Sequence, residues 1–241
     1  MILDLVGGIE LGLAVAVLIG GIALGLGGGM RERSLIAAVL VGWLAIVMML
    51  GATEALSAPP EATLDERFVA AGWLGLTLAI PLAALCATTF GIAPVRERLL
   101  AMPISILIGL NSLRIVGVLF LMLYSAGRLP APFAPVAGWG DIIVGFIAIP
   151  LAVLAIRKPN ANHGLIVAWN IFGLADLVLA VSLGVAASLA AGRGVDSGIM
   201  TLLPWILIPC FAVPLLMVTH LAIFFKIWKA PSKANSLAVA T

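Results

Sequence analysis

Of 241 residues, only 10% are charged while 63% are hydrophobic, and the net charge is +2. Soluble domains average about 25% charged and 45–50% apolar residues. This composition, with a mean hydropathy of +1.24, excludes a chain folded around one aqueous core and points to a protein whose solvent is a bilayer.

Runs of roughly 18 or more apolar residues read as membrane-spanning helices. Seven occur in chain order: Leu5–Leu26, Ser34–Leu56, Phe68–Phe90, Leu99–Tyr124, Val136–Ile156, Leu165–Leu189 and Leu202–Trp228. The expected fold class is all-α, a polytopic bundle of seven transmembrane helices. Residues 1–229 form its single domain and 230–241 a disordered cytoplasmic tail. A β-barrel would need alternating segments of about ten residues, and "LGLAVAVLIGGIALGLGGG" does not alternate.

The first run is expected to be a retained helix and not a secretion signal. Its first charge is Asp4 rather than a basic residue, and it exceeds the roughly 7–15 apolar residues of a signal core. The longest gaps hold about a dozen residues, too few for an independent domain. Cys86 and Cys210 both fall inside helices without a partner at motif spacing, and read as packing residues.

Lys and Arg concentrate on the cytoplasmic side of short loops. One set of loops and the tail carry Arg31, Arg33, Arg96, Arg98, Arg157, Lys158, Lys226, Lys229 and Lys233. The alternate set has Arg67, Arg128 and Arg193. Nine against three predicts the N-terminus outside and the C-terminus in the cytoplasm. The pI near 8.8 reflects this asymmetry, not nucleic-acid binding. Short loops and Ala/Leu/Gly-rich helices suit a bacterial inner (plasma) membrane.

"AIPLAAL" at 79–85 and "AIPLAVL" at 148–154 agree at six of seven positions, and "RER" recurs at 31–33 and 96–98. A duplicated helical hairpin would account for this, as would chance similarity among Ala, Leu and Ile. The unequal loops favour chance.

Few ionisable groups fall inside the spans: Glu10, Glu54, Arg114, Asp141 and Asp176. At 1.5 Å per residue, Glu10 and Asp141 lie about 8–10 Å below the outer surface, Arg114 at similar depth, and Asp176 near the midplane. Glu54 sits at the boundary and reaches water. One charge at a helix centre costs roughly 2.5–3.5 kcal/mol. Four facing lipid would cost on the order of 10 kcal/mol, comparable to the stability of a whole domain. Glu10, Arg114, Asp141 and Asp176 are therefore expected to converge, the Arg114 fork engaging carboxylates. Asn111 stands on the Arg114 face at i, i+3. Gly138, Asp141, Gly145, Ala148 and Ala152 form a small-residue strip on the fifth helix, and Trp169, Gly173, Asp176, Ala180 and Gly184 one on the sixth, faces that let helices approach.

"GWGD" at 138–141 resembles the GxGD tetrapeptide of intramembrane aspartyl proteases, the presenilin-like and prepilin-peptidase-like enzymes. The resemblance covers four residues. In those families the partner aspartate lies on an earlier helix, whereas Asp176 comes later here. It implies an alternative reading, in which Asp141 and Asp176 share a proton; a neighbouring Arg114 works against such sharing.

His163 and His220 lie toward the inner side without a third ligand at metal spacing, and His220 reads as interfacial beside Lys226 and Trp228. A retinal-type Schiff base would need a lysine at mid-membrane, and Lys226 lies too near the end of its helix. Pro204, Pro209 and Pro214 should kink the seventh helix. "GLGGGM" follows no strand and reads as a flexible loop.

These elements predict an outward-opening polar pocket that binds and transports a small solute or cation, coupled to protons. Its walls are Glu10, Asn111, Arg114, Asp141 and Asp176, supported by Trp169 and Asn170, with Tyr124 and Trp139 near the mouth. An intramembrane enzyme and a sensor or assembly subunit with a purely structural ion pair are the competing classes. Expected partners are the lipid bilayer and a small-molecule or ion ligand, with a second copy or another membrane subunit as further candidates and nucleic acid excluded. No cofactor or metal is assigned.

Overall fold

A computed structural model describes residues 2–59, 62–158, 163–189 and 197–229, and no strand occurs among them. Residues 230–241, expected as a disordered tail, lie outside the described residues, as do Arg193 and Lys233 of the charge comparison.

Among the described residues, seven helical stretches are long and apolar enough to cross a membrane. The first two are α1 (Ile2–Leu26) and α2 (Met30–Ala52). The third is α3 (Leu64–Cys86), continued by a π-helical turn at Ala87–Gly91. A short helix, α4 (Ala93–Ala101), follows and ends at Met102, whose backbone is extended ahead of Pro103, as the clash of a proline ring with the preceding residue requires. The fourth stretch is composite: α5 (Ile104–Leu110), a 3-10 segment (Asn111–Gly117) and α6 (Val118–Ser125). Then come α7 (Phe133–Arg157), α8 (His163–Leu189), and a seventh stretch of a π turn at Ile208–Ala212 leading into α9 (Val213–Lys229).

Hydropathy placed several ends differently, and local chemistry accounts for each. The second helix starts at Met30 rather than Ser34 because Glu32 accepts hydrogen bonds from the Gly28 and Gly29 amides. It stops at Ala52, where Glu54 takes a left-handed conformation at φ 53°. The fourth stretch starts at Ile104 rather than Leu99 because of Pro103. The seventh starts at Ile208 rather than Leu202: residues 203–206 form turns around Pro204. Pro209, lacking an N–H, sits inside the π turn. The expected proline kink is thus an unwound entry and a bulge.

The two ends of the bundle have opposite chemistry. At one end Arg98 pairs with Glu32, tying α4 to the start of α2. There Lys226 donates to the carbonyls of Leu99 and Leu100. At the other end Arg128 donates to Asp4 at 2.7 Å, Trp205 donates to the same carboxylate, and Ser57 bonds Thr201 at 2.6 Å. The outer faces of α2, α3 and α7 are apolar, with Val39, Ile80 and Phe146 all more than 60% exposed.

Candidate ion site in the core of the bundle

The polar centre is built from the last four of the seven long apolar stretches. Its organiser is Arg114, on the 3-10 segment and 1% exposed. Its Nε donates to Asp141 Oδ1 of α7 at 2.6 Å. One terminal nitrogen donates to Asp176 of α8. The other donates to the Gly173 carbonyl at 2.9 Å and reaches His220 Nε2 of α9 at 3.3 Å. A guanidinium offers five N–H donors in a planar fork, and four are engaged.

His220 completes a second layer. Its Nδ1 lies 2.7 Å from Asn170 Oδ1, and Asn170 Nδ2 donates to the His220 carbonyl at 2.9 Å. The reciprocal pair makes Nδ1 the protonated nitrogen, so Nε2 is free to accept from Arg114. Trp169 packs against the imidazole, ring centroids 5.3 Å apart and planes tilted by 44°, and donates to the Val144 carbonyl. Asn111 Nδ2 donates to Leu107 O and to Thr219 Oγ1, next to His220. Asn111 Oδ1 is buried without a partner among the described residues.

The local fold explains why these groups meet. A seven-residue 3-10 run is longer than the three or four residues such helices usually reach, and mid-helix it marks strain or a hinge. Asn111 and Ser112 both turn back onto carbonyls of the preceding turn, which competes with regular α bonding. The segment lies directly on α7. A Cβ on Gly145 would stand 2.7 Å from the Ile115 amide nitrogen, and one on Gly140 would overlap the Asp176 carboxylate. The "GWGD" motif thus has a packing explanation: its second glycine makes room for Asp176, and its aspartate meets Arg114.

Arg114, Asp141, Asp176, Asn111, Asn170 and Trp169 are brought together as one connected network. Glu10 is not. It stands half-buried on the flank of the α1 face that packs inward through Leu11, Ala14 and Leu18, and makes no hydrogen bond or ion pair with any described residue. Tyr124 and Trp139 are 45% and 58% exposed on the outer surface of the bundle, away from the network. His220 takes the place expected for Glu10. It is wholly buried, not interfacial, because the seventh helix starts six residues later than hydropathy suggests and 220 is therefore near its middle. Arg114 likewise stands ten residues from Ile104 and eleven from Ser125, at the middle of its apolar stretch. Sequence did hold a signal: polar residues at 219–220 inside an apolar run, facing Asn111 and Asn170 on other helices.

A cavity of about 40 Å³ borders Arg114 and Asp141 and is otherwise walled by apolar side chains such as Leu18, Phe120 and Leu216. One water needs roughly 10–15 Å³ of such space, so the cavity accepts a few water-sized species and no larger solute. No group of three His, Cys, Asp or Glu side chains suited to a metal ion occurs among the described residues.

A family model described as "Domain of unknown function (DUF8737)" matches residues 71–228. The chain belongs to this family. The matched region runs from α3 to the end of α9 and holds every member of the Arg114 network, while α1 and α2 precede it. No curated protein and no solved structure matches the chain.

Proposed function

We propose that this DUF8737 member is an integral protein of the inner (plasma) membrane, N-terminus outside and C-terminus cytoplasmic, that binds and moves a proton or small monovalent cation through the Asp141–Arg114–Asp176 cluster. One observation carries the reading. A fully buried guanidinium is shared by carboxylates from two other helices, so the ionised triad sums to minus one beside a water-sized cavity. An uncompensated buried charge is costly, and a proton or a monovalent ion removes it. The cavity volume favours such a species over the larger solute that composition alone would allow.

The cavity also touches α1 through Leu11, Ala14 and Leu18, which gives a route along the side of the bundle that carries Glu10. The 3-10 segment supplies a moving part. Successive residues turn by about 120° in a 3-10 helix and 100° in an α-helix. Relaxation of the segment to α form would swing Arg114 by roughly 60° relative to Asn111, three residues away, and weaken its hold on one aspartate.

The test is ion flux into liposomes containing purified protein. A trapped pH-sensitive dye reads protons after an imposed gradient, and radioactive sodium reads Na⁺. Wild type and Trp139→Phe, altered on the exposed surface, should conduct above empty vesicles; Asp141→Asn and Arg114→Ala, if folded, should not. Equal flux in all four would exclude the proposal. A purely structural clamp is the second reading, favoured by the near-saturation of Arg114; it predicts no flux and full stability when Arg114 and Asp141 exchange places. The aspartyl-protease alternative has less support, since no hydrogen bond joins Asp141 to Asp176 among the described residues and Arg114 stands between them.

A further inference from the structure

Away from the ion network, a cleft of about 530 Å³ opens at the basic end of the bundle, within the roughly 300–1,000 Å³ of small-molecule sites. Its walls are mainly apolar, with Leu40 of α2, Leu99 of α4, Met102 just beyond it and Val218 of α9, and carry hydroxyls at Thr88, Thr89 and Thr219. Among the described residues, Arg98 is the one charged side chain that lines it.

Three observations indicate what fits. First, the cleft opens sideways: Leu35, Val39 and Ile92 line it yet are 65%, 64% and 47% exposed. Its entrance is an apolar surface on a spanning helix, and α2 and α3 form no extended packing contact that would close it. Second, Arg98 is about two-fifths exposed, and its single hydrogen bond among the described residues goes to Glu32. Most of its N–H donors are therefore free. Arg31 and Arg33 stand in the first turn of α2 and Arg96 beside Arg98 in α4, so this end attracts anions. Third, the inner end of the cleft reaches Thr219, which accepts the Asn111 hydrogen bond. A soluble anion would find few polar partners along these walls, and a neutral hydrocarbon would ignore the arginines. An amphiphile suits both ends.

We propose that this cleft holds an acyl chain of an anionic phospholipid from the surrounding leaflet, with the lipid phosphate at Arg98. Basic pockets between spanning helices on the cytoplasmic side bind anionic headgroups in this way. The chain lies along α9 from Ala222 toward Leu215, about 10 Å at helical rise. Glu32 competes with the phosphate for the guanidinium.

The test is native mass spectrometry of the full chain purified in a neutral maltoside detergent, incubated with phosphatidylglycerol, phosphatidylcholine of identical chains, or inorganic phosphate. Wild type should retain phosphatidylglycerol about fivefold more than phosphatidylcholine, the factor one basic side chain gives at an anionic lipid surface. Arg98→Gln should bring the two lipids to parity. Val39→Trp, filling the entrance, should lower retention of both. Glu32→Gln, which keeps an oxygen for the Gly28 and Gly29 amides, should raise phosphatidylglycerol retention and serves as the measurement if Arg98→Gln does not fold. Equal retention of the lipids by wild type, an unchanged preference in the variants, or displacement of the lipid by phosphate alone would overturn the proposal.

Discussion

Replacing Arg114 by Met tests the core electrostatics most directly. The side chain is of similar length but leaves Asp141 and Asp176, which are 15% and 7% exposed, facing each other's charge without a cation. Removing one partner of a buried ion pair costs about 3–5 kcal/mol. Two charge-assisted hydrogen bonds at about 1.5–3 kcal/mol each bracket the same loss. For a chain of this size each kcal/mol lowers the melting temperature by about 2–4 °C, so the variant should melt roughly 6–20 °C below wild type. Thermal unfolding in detergent, followed by tryptophan emission, reads the shift. The triple variant Arg114→Met, Asp141→Asn, Asp176→Asn removes all three charges and should recover most of the loss, because no unpaired charge remains. A single variant as stable as wild type, or a triple variant no better than the single, would refute the account.

Gly140→Ala puts a methyl group on the Asp176 carboxylate and should cost about 1–3 kcal/mol as overpacking. Gly75→Ala on α3, with nothing within 4 Å of its Cβ, should be neutral or stabilising by up to about 1 kcal/mol; equal effects in a melting assay would count against the close approach of α7 and α8. His220→Phe keeps the ring contact with Trp169 but leaves Asn170 Oδ1 without its donor, a loss of about 1–3 kcal/mol that an added Asn170→Leu should partly restore. An interfacial His220 would show neither effect. Asp4→Asn, at a pair whose side chains are about a third exposed, should cost no more than about 1 kcal/mol in the same melts.

The seven long apolar helices were legible because a run of twenty apolar residues has few other solutions, and the convergence of Arg114, Asp141 and Asp176 because an isolated charge among apolar side chains is so expensive. Where the reading went astray, backbone chemistry was the cause. Hydropathy treats residues 202–207 as spanning, yet Pro204 and its neighbours form turns, and the error carried His220 from mid-helix to the interface. The same kind of error, at Pro103, set the apparent centre of the fourth stretch away from Arg114. Glu10 was grouped with the others on depth alone. Depth is one coordinate, and the direction of a side chain around its helix is a second: Glu10 lies on the flank of its helix's buried face. The 3-10 segment was invisible, since no periodicity count separates seven residues of it from an α-helix. Cues to it do exist in Asn111 and Ser112, side chains that bond back to their own helix.

Asn111 is the side chain that the fold needs least. Its two Nδ2 bonds are worth about 0.5–1.5 kcal/mol each, while the buried, unpaired Oδ1 costs about 1–3 kcal/mol. The terms cancel, and Thr219, which also donates to Leu216 O, stays satisfied without it. Asn111→Leu should therefore melt within about 1 kcal/mol of wild type. If stability were its purpose, leucine would serve as well. Under the proposed ion movement, a bare amide oxygen three residues from Arg114 would serve an ion or water that arrives only in part of the cycle, since an unsatisfied group binds without breaking another bond. The variant should then keep its melting temperature and lose ion flux in the liposome assay. Full flux with unchanged stability would remove Asn111 from the site, and a large loss of stability would show that the energy balance drawn here for its side chain is wrong.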